Sequence, residues 1–426
     1  MAALTVGGTV RVPGDKSISH RALMLGALAT GRSRVRGILE SADVHSTAAV
    51  LRALGVAVPS LGAAFELEGR GLRGLRASAE PLDCGNSGTT TRLMAGVCAG
   101  QTFASRFVGD ASLSRRPMRR IARPLELMGA RVELTDGERL PMTVHGAALR
   151  PITWESEKSS AQVKSAILLA GLVAGVPVTV GEPERSRDHS ERMLRALGAV
   201  VTVDGDNRVR LEPPASLHAL DVAVPGDPSS AAFVAALAAL ADRGALTIDG
   251  VCLNPTRTGF FDALRAMGAD IHVDAAGDQG GEPVGAITVR AGSSLRATRV
   301  EGAQVPSMIA ELPLLPCVAA RAEGTTEIRG ASELRVKESD RIAAVVANLV
   351  ALGVEASELP DGMLVTGSDR ALRGRAITHG DHRLAMAFGV LGALPGNEIE
   401  VDDPDCAIVS FPGFWRLLDS LTARVD

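Results

Sequence analysis

The amino-acid sequence predicts an α/β fold in two domains, and three patterns in its 426 residues carry that prediction. An apolar helical stretch that stops at a Gly and continues into a β-rich run occurs five times. A Pro-Gly-Asp turn leading through small hydroxyl residues into an apolar helix occurs twice. A hydrophobic content of 46% over this length is enough for two cores of ordinary size.

The five helix–Gly–strand copies are Leu51–Val58, Leu125–Leu134, Met193–Val203, Ala263–Val273 and Ala347–Ala356, with the Gly at 55, 129, 198, 268 and 353. A Gly at that place fits a left-handed helix C-cap that turns the chain sharply into a strand. A degraded sixth copy is read in Leu417–Val425. The intervals of 69 to 85 residues are too long for a solenoid unit and suit a small module of strands and helices. Six modules give two domains of three. The Pro-Gly-Asp segments at Pro13 and Pro225 lie 212 residues apart and mark crossovers between the domains, with Ser residues expected to cap the helices that follow. The first domain is then 16–227, and the second combines 1–15 with 228–426. Ligand clefts favour such a joint; a duplication with no functional meaning is the plain alternative.

Composition excludes several classes. Aromatic residues make up 3%, with no Tyr, too few for the stacking platforms of a nucleic-acid binder, and the net charge of −4 argues against a general polyanion binder. Cys84, Cys98, Cys252, Cys317 and Cys406 are scattered without disulfide or metal-ligand spacing, which fits a reducing cytoplasm. The N-terminus shows no secretory signal, and the longest apolar run, Ala231–Ala241, is 11 residues, too short to cross a bilayer and suited to a buried helix. The expectation is a cytoplasmic monomer with no nucleic-acid or membrane partner.

Six segments could carry chemistry, and each places cations or small polar groups at an expected helix start. They are Pro13–Arg21, Cys84–Arg92, Gly109–Arg120, Glu157–Ser165, Glu333–Arg341 and Asp381–Ala387. Free backbone N–H groups and the helix dipole favour an anion there, and Lys16 and Arg21 reinforce it. The glycines of Cys84–Arg92 permit an anion nest, though no Gly-Lys-Ser/Thr closes a Walker loop. Pro117 suits a first helical turn and would put Arg116 at its mouth. Ser159 or Ser160 can cap a helix whose Gln162 orients a substrate; Arg187 adds a further cation. Lys337 and Arg341, four apart, are expected on one helical face. Taken singly, each segment has an ordinary reading as a cap, turn or solvated basic face. Together they imply a ligand pair with several negative charges.

The motifs PGDKSISHR, GNSGTTTR, GDASLSRRPM, SSAQVKSA, RVKESDR and DHRLAMAF, in that order over nearly the whole chain, resemble the 5-enolpyruvylshikimate-3-phosphate synthases, with wording similar to the class II branch. The resemblance implies two domains, each of three βαβαββ units, forming an inside-out α/β barrel with the active site in the cleft between them. It implies shikimate 3-phosphate and phosphoenolpyruvate as substrates, an addition–elimination reaction, sensitivity to glyphosate, and no metal or organic cofactor; the two-domain reading, with cations divided between the domains, adds the expectation of closure on binding. Lys16, Ser17, Arg21, Ser160, Gln162, Arg187 and Lys337 match positions that hold shikimate 3-phosphate. Lys16, Gly88, Arg116, Gln162, Arg341 and Arg383 match the phosphoenolpyruvate pocket. Lys337 and Glu338 match the pair at the reacting centre.

The sequence departs from that pattern twice. The family's Asp beside the shikimate ring is replaced by Ala310, and Glu311 is expected to take over as acceptor. Val409 stands where the class I pattern has a Lys. The nearest rivals are the enolpyruvyl transferases acting on UDP-N-acetylglucosamine, whose reactive loop Cys has no counterpart in 109–124, and a non-catalytic binder of phosphorylated ligands, which Ala310 favours.

Overall fold

A computed structural model describes residues 3–422. Ala423–Val425, the end of the expected sixth copy, lies outside them. The chain divides into two compact units. The first is Gly14–Val224 with Asp278–Glu282; the second is the remainder, including the N-terminal residues up to Pro13.

Six sheets are formed among the described residues; five contain one parallel strand pair, and the five-stranded sheet contains two, Thr5–Val6 and Thr9–Arg11 each lying parallel to Arg243–Cys252. The sheet of Leu82–Asp83, Ala104–Val108, Arg139–His145 and Arg131–Thr135 shows the complete module. A parallel pair is joined through the helix Gly88–Ala99, then a hairpin adds two antiparallel strands. The sheets containing Ile152–Glu155 and Arg299–Val300 repeat this order. Two modules take their first strand from far along the chain. Asp221–Ala223 lies parallel to Arg32–Arg36, and Thr5–Val6 lies parallel to Arg243–Cys252. The last sheet is reduced to the pair Arg373–Ala376 and Glu398–Val401.

All five repeat glycines have positive φ, between 86° and 114°. In each copy the residue after the Gly donates its N–H back five residues, as Ala130 does to Leu125 O at 3.0 Å and Ala199 to Leu194 O at 2.9 Å. That closes the orphaned helix carbonyls and releases the chain into a strand. After Gly55 the expected strand does not form. Pro59 has no N–H for a ladder, and the Arg52 guanidinium takes the carbonyls of Val58 and Pro59 at 2.8 and 2.6 Å.

The two Pro-Gly-Asp turns are capped by their aspartates, not by the serines expected from sequence. Asp15 accepts the N–H of Ile18 and Asp227 that of Ser229, each at 2.8 Å. The run at Ala231 does form a buried helix, Pro228–Leu240, around which the core of the second unit gathers. No described helix is long and apolar enough to cross a membrane. In the first unit the helices Gly88–Ala99 and Ala161–Ala174 cross closely. A Cβ on Gly96 would lie 2.2 Å from Ala166 O, so only Gly allows the approach that brings Gly88 and Gln162 together.

Candidate active site

In the first unit the arginines are aimed by small polar groups. Arg21, 4% exposed on the helix Lys16–Leu28, donates through Nε to Ser190 Oγ and through Nη2 to Ser165 Oγ, both at 2.8 Å, and through Nη1 to Ser17 O at 2.9 Å. Lys16 opens that helix with Nζ 3.0 Å from Asp43 Oδ2. His20, buried beneath them, pairs Nδ1 with Thr47 Oγ1 at 2.7 Å. Burial, then the charges of Lys16 and Arg21, hold its pKa well below the usual value.

A second cluster forms around the start of the helix Gly88–Ala99, which Ser87 caps by accepting the N–H of Thr90 at 3.1 Å. Arg92 Nη1 donates to Gln162 Oε1 at 2.9 Å, and Gln162 Nε2 donates to Thr89 Oγ1 at 3.1 Å. Arg116 Nη2 donates to Asn86 Oδ1 at 2.7 Å. Arg116 does not sit at a helix mouth formed by Pro117. The helix begins later, at Arg119, because Asp110 first caps a short turn of helix, Ala111–Ser114. Ser160 caps the helix carrying Gln162, and its own N–H donates to Glu182 Oε1 at 2.7 Å. Arg187 follows Ser186, whose hydroxyl donates to the same carboxylate.

In the second unit Asp381 is the hub. It caps the helix His382–Gly392, accepting the N–H of Arg383 at 3.0 Å. It also holds Arg341 by a two-point contact at 2.8 and 3.1 Å. Such a fork fixes the guanidinium plane as well as its charge. Arg341 Nη2 also donates to Glu338 Oε2 at 2.7 Å. Burial opposes the Arg341 charge, but Asp381 and Glu338 overcome it and raise the pKa. Arg383, 6% exposed, lies over the Phe233 ring at 5.9 Å. Burial lowers its pKa, against the opposing pull of Glu311 and Asp227.

Lys337 and Arg341 do not share a helical face. Lys337 ends the 3₁₀ turn Ser332–Val336 with ψ −148°, and Asp340 caps a separate helix starting at Arg341. Glu311 is 1% exposed, accepts from Ser229 Oγ, and lies 3.9 Å from Arg257 Nη2, which also reaches Asp227 Oδ1 at 2.8 Å. Ala310, beside it, is partly exposed.

Sequence reasoning therefore missed Arg92, Asp43, Arg257 and Asp381 as partners. Arg92 was readable in principle, one helical turn after Gly88. Arg257 lies in no motif and is placed only by folding. Among the described residues no group of three or more His, Cys, Asp or Glu side chains could hold a metal ion.

The model of the EPSP synthase (3-phosphoshikimate 1-carboxyvinyltransferase) family matches residues 3–418. A 3-phosphoshikimate 1-carboxyvinyltransferase of Roseiflexus castenholzii is 50% identical over 418 residues, 96% of either chain. One from Citrifermentans bemidjiense is 47% identical over 424 residues, covering 99% of this chain and 98% of its own. The solved EPSP synthase of Acinetobacter baumannii superposes with a TM-score of 0.87 at 40% identity, covering 99% of this chain and 97% of its own. The fold is that structure's two-domain inside-out α/β fold. With buried arginines aimed at helix starts in both units and a match along nearly its whole length, the chain belongs to the EPSP synthase family.

Proposed function

We propose that the chain transfers the enolpyruvyl group of phosphoenolpyruvate to the 5-hydroxyl of shikimate 3-phosphate, releasing phosphate, in aromatic amino acid biosynthesis. The observation that carries this reading is the set of buried, pre-aligned guanidinium groups in or near the early turns of helices, within a full-length family match. Such groups favour the negative charge of phosphate and carboxylate without reorganising during the reaction.

The 5-hydroxyl attacks C2 of phosphoenolpyruvate while C3 gains a proton. The tetrahedral intermediate then loses phosphate, and C3 gives a proton back. Lys337 serves the attacking hydroxyl and Glu338 relays the proton at C3, both being partly exposed and so able to meet substrate. Arg116, Arg341 and Arg383, with Gly88, Gln162 and Lys16, hold phosphoenolpyruvate. Ser17, Arg21, Ser160, Gln162, Arg187, Lys16 and Lys337 hold shikimate 3-phosphate. Glu311 takes the acceptor role toward shikimate 3-phosphate that Ala310 leaves open, and within the Ser229–Arg257 network it is also the buried counter-charge that steadies Arg383. The enzyme works as a cytoplasmic monomer, without cofactor.

Phosphate release from phosphoenolpyruvate in the presence of shikimate 3-phosphate tests the reading. Release only with UDP-N-acetylglucosamine as acceptor would assign the chain to the related transferases. Ala310 supports one second reading, a binder without turnover, which predicts that both substrates bind and no phosphate appears.

A further inference from the structure

Beneath the Ser159–Ser160 turn lies a charged cluster that no proposed substrate contact explains. Lys164 on the helix Ala161–Ala174 has a side chain only 1% exposed, with Nζ 2.8 Å from Glu182 Oε2 and 2.9 Å from Glu191 Oε1. Both carboxylates are as deeply buried. Burial alone would lower the Lys164 pKa, but Glu191 and Glu182 overcome it and raise the value, so the ammonium stays charged. Burying an ion pair needs good geometry and further hydrogen bonds to offset desolvation.

Those further bonds go to two loops. Glu182 Oε1 accepts the N–H of Ser160 at 2.7 Å. The Ser186 hydroxyl donates to the two oxygens of Glu182 at 2.8 and 2.7 Å, and the Ser186 N–H reaches Oε2 at 3.4 Å. A second tie joins the same loops, since Ser159 Oγ donates to Glu184 O at 2.6 Å and accepts the Glu184 N–H at 2.9 Å. One carboxylate thus fixes the loop that presents Ser160 and the loop that presents Arg187. The residues next to Lys164 and Glu191, Ser165 and Ser190, are the pair that aims Arg21.

We infer that Glu182 is a positioning residue for the phosphorylated acceptor, holding Ser160 and Arg187 in fixed relation, with Lys164 as its counter-ion. The inference rests on the reading of Ser160 and Arg187 as shikimate 3-phosphate contacts. Glu182 itself touches no substrate, so its loss should loosen acceptor binding rather than the chemical step.

The test is steady-state kinetics and thermal melting of the full chain carrying Glu182→Gln, Ser186→Ala or Arg187→Ala. For Glu182→Gln, the KM for shikimate 3-phosphate is expected to rise about tenfold to a hundredfold, as for loss of charge-assisted hydrogen bonds. The KM for phosphoenolpyruvate and kcat should change far less. Ser186→Ala removes one hydroxyl and leaves the buried ion pair; it should show the same split at smaller size, and it decides the matter if Glu182→Gln does not fold. A lowered melting temperature with an unchanged acceptor KM in both variants overturns the inference. An Arg187→Ala variant with unaltered acceptor KM would instead overturn the reading of the pocket. A raised KM in Arg187→Ala alone rejects only the positioning role.

Discussion

Replacing Gly88 by Ala tests how tightly the phosphoenolpyruvate cluster is packed. An added Cβ would lie 2.6 Å from Arg92 Nη1 and 3.4 Å from Arg116 Nη1. Carbon and nitrogen settle at about 3.5 Å, so the Arg92 guanidinium must withdraw by roughly 1 Å. Gly88 has no positive φ, and Ala is preferred over Gly in a helix, so the backbone tolerates the change. The casualty is the 2.9 Å bond from Arg92 Nη1 to Gln162 Oε1, which becomes too long to count. Hydrogen bonds to charged groups contribute about 1.5–3 kcal/mol, a factor of roughly 10 to 150 in binding. The KM for phosphoenolpyruvate should therefore rise at least about tenfold, while the melting temperature moves by only a few degrees. The parent enzyme should be inhibited by glyphosate competitively with phosphoenolpyruvate, and Gly88→Ala should weaken that inhibition further than it weakens the substrate. A KM within twofold of the parent together with an unchanged inhibition constant would refute the packing argument.

The other expectations concern charge. Ala310→Asp restores an acceptor at a partly exposed position and should raise kcat/KM for shikimate 3-phosphate by about tenfold, as for one hydrogen bond to a charged group; assays of phosphate release would read it, and an unchanged value removes that slot from the mechanism. Glu311→Gln should cut turnover by orders of magnitude by unbalancing Arg257 and Arg383, and near-normal turnover would remove Glu311 from the mechanism. Because folded His20 binds its proton only well below 6.5, the unfolded chain takes one up first as pH falls. Its contribution is complete above 6.5 and lost below it, by about 1.4 kcal/mol per pH unit. Urea melts at pH 5, 6 and 7 should show a shallower acid slope for His20→Asn; equal slopes would exclude His20. Burial pushes the thiols of Cys84 and Cys98 up to about 12, so iodoacetamide at pH 8 should leave activity intact. Inactivation prevented by phosphoenolpyruvate would point to a reactive thiol instead.

The glycines that end five helices act through bonds only a few residues long, so the repeat was legible from order alone, whereas the two Pro-Gly-Asp turns are capped by Asp15 and Asp227 in place of the expected serines. Ser160 as a helix cap was legible in the same way as the glycines. Local pattern failed where a distant or competing partner intervened: Pro59 and Arg52 suppress the strand after Gly55, and Asp340 starts a new helix that parts Arg341 from Lys337.

The sequence by itself determined the repeated α/β modules, the family motifs and the helix starts at Lys16, Arg341 and Arg383, because glycines, turns and hydrophobic periods are short-range properties of the chain. Only the tertiary structure decided which carboxylate holds which cation. Asp381 on Arg341, Glu182 on Lys164 and Asp227 on Arg257 are pairs between residues 18 to 40 positions apart. The energy of such a buried pair depends on distance and desolvation, which exist only once the chain has folded.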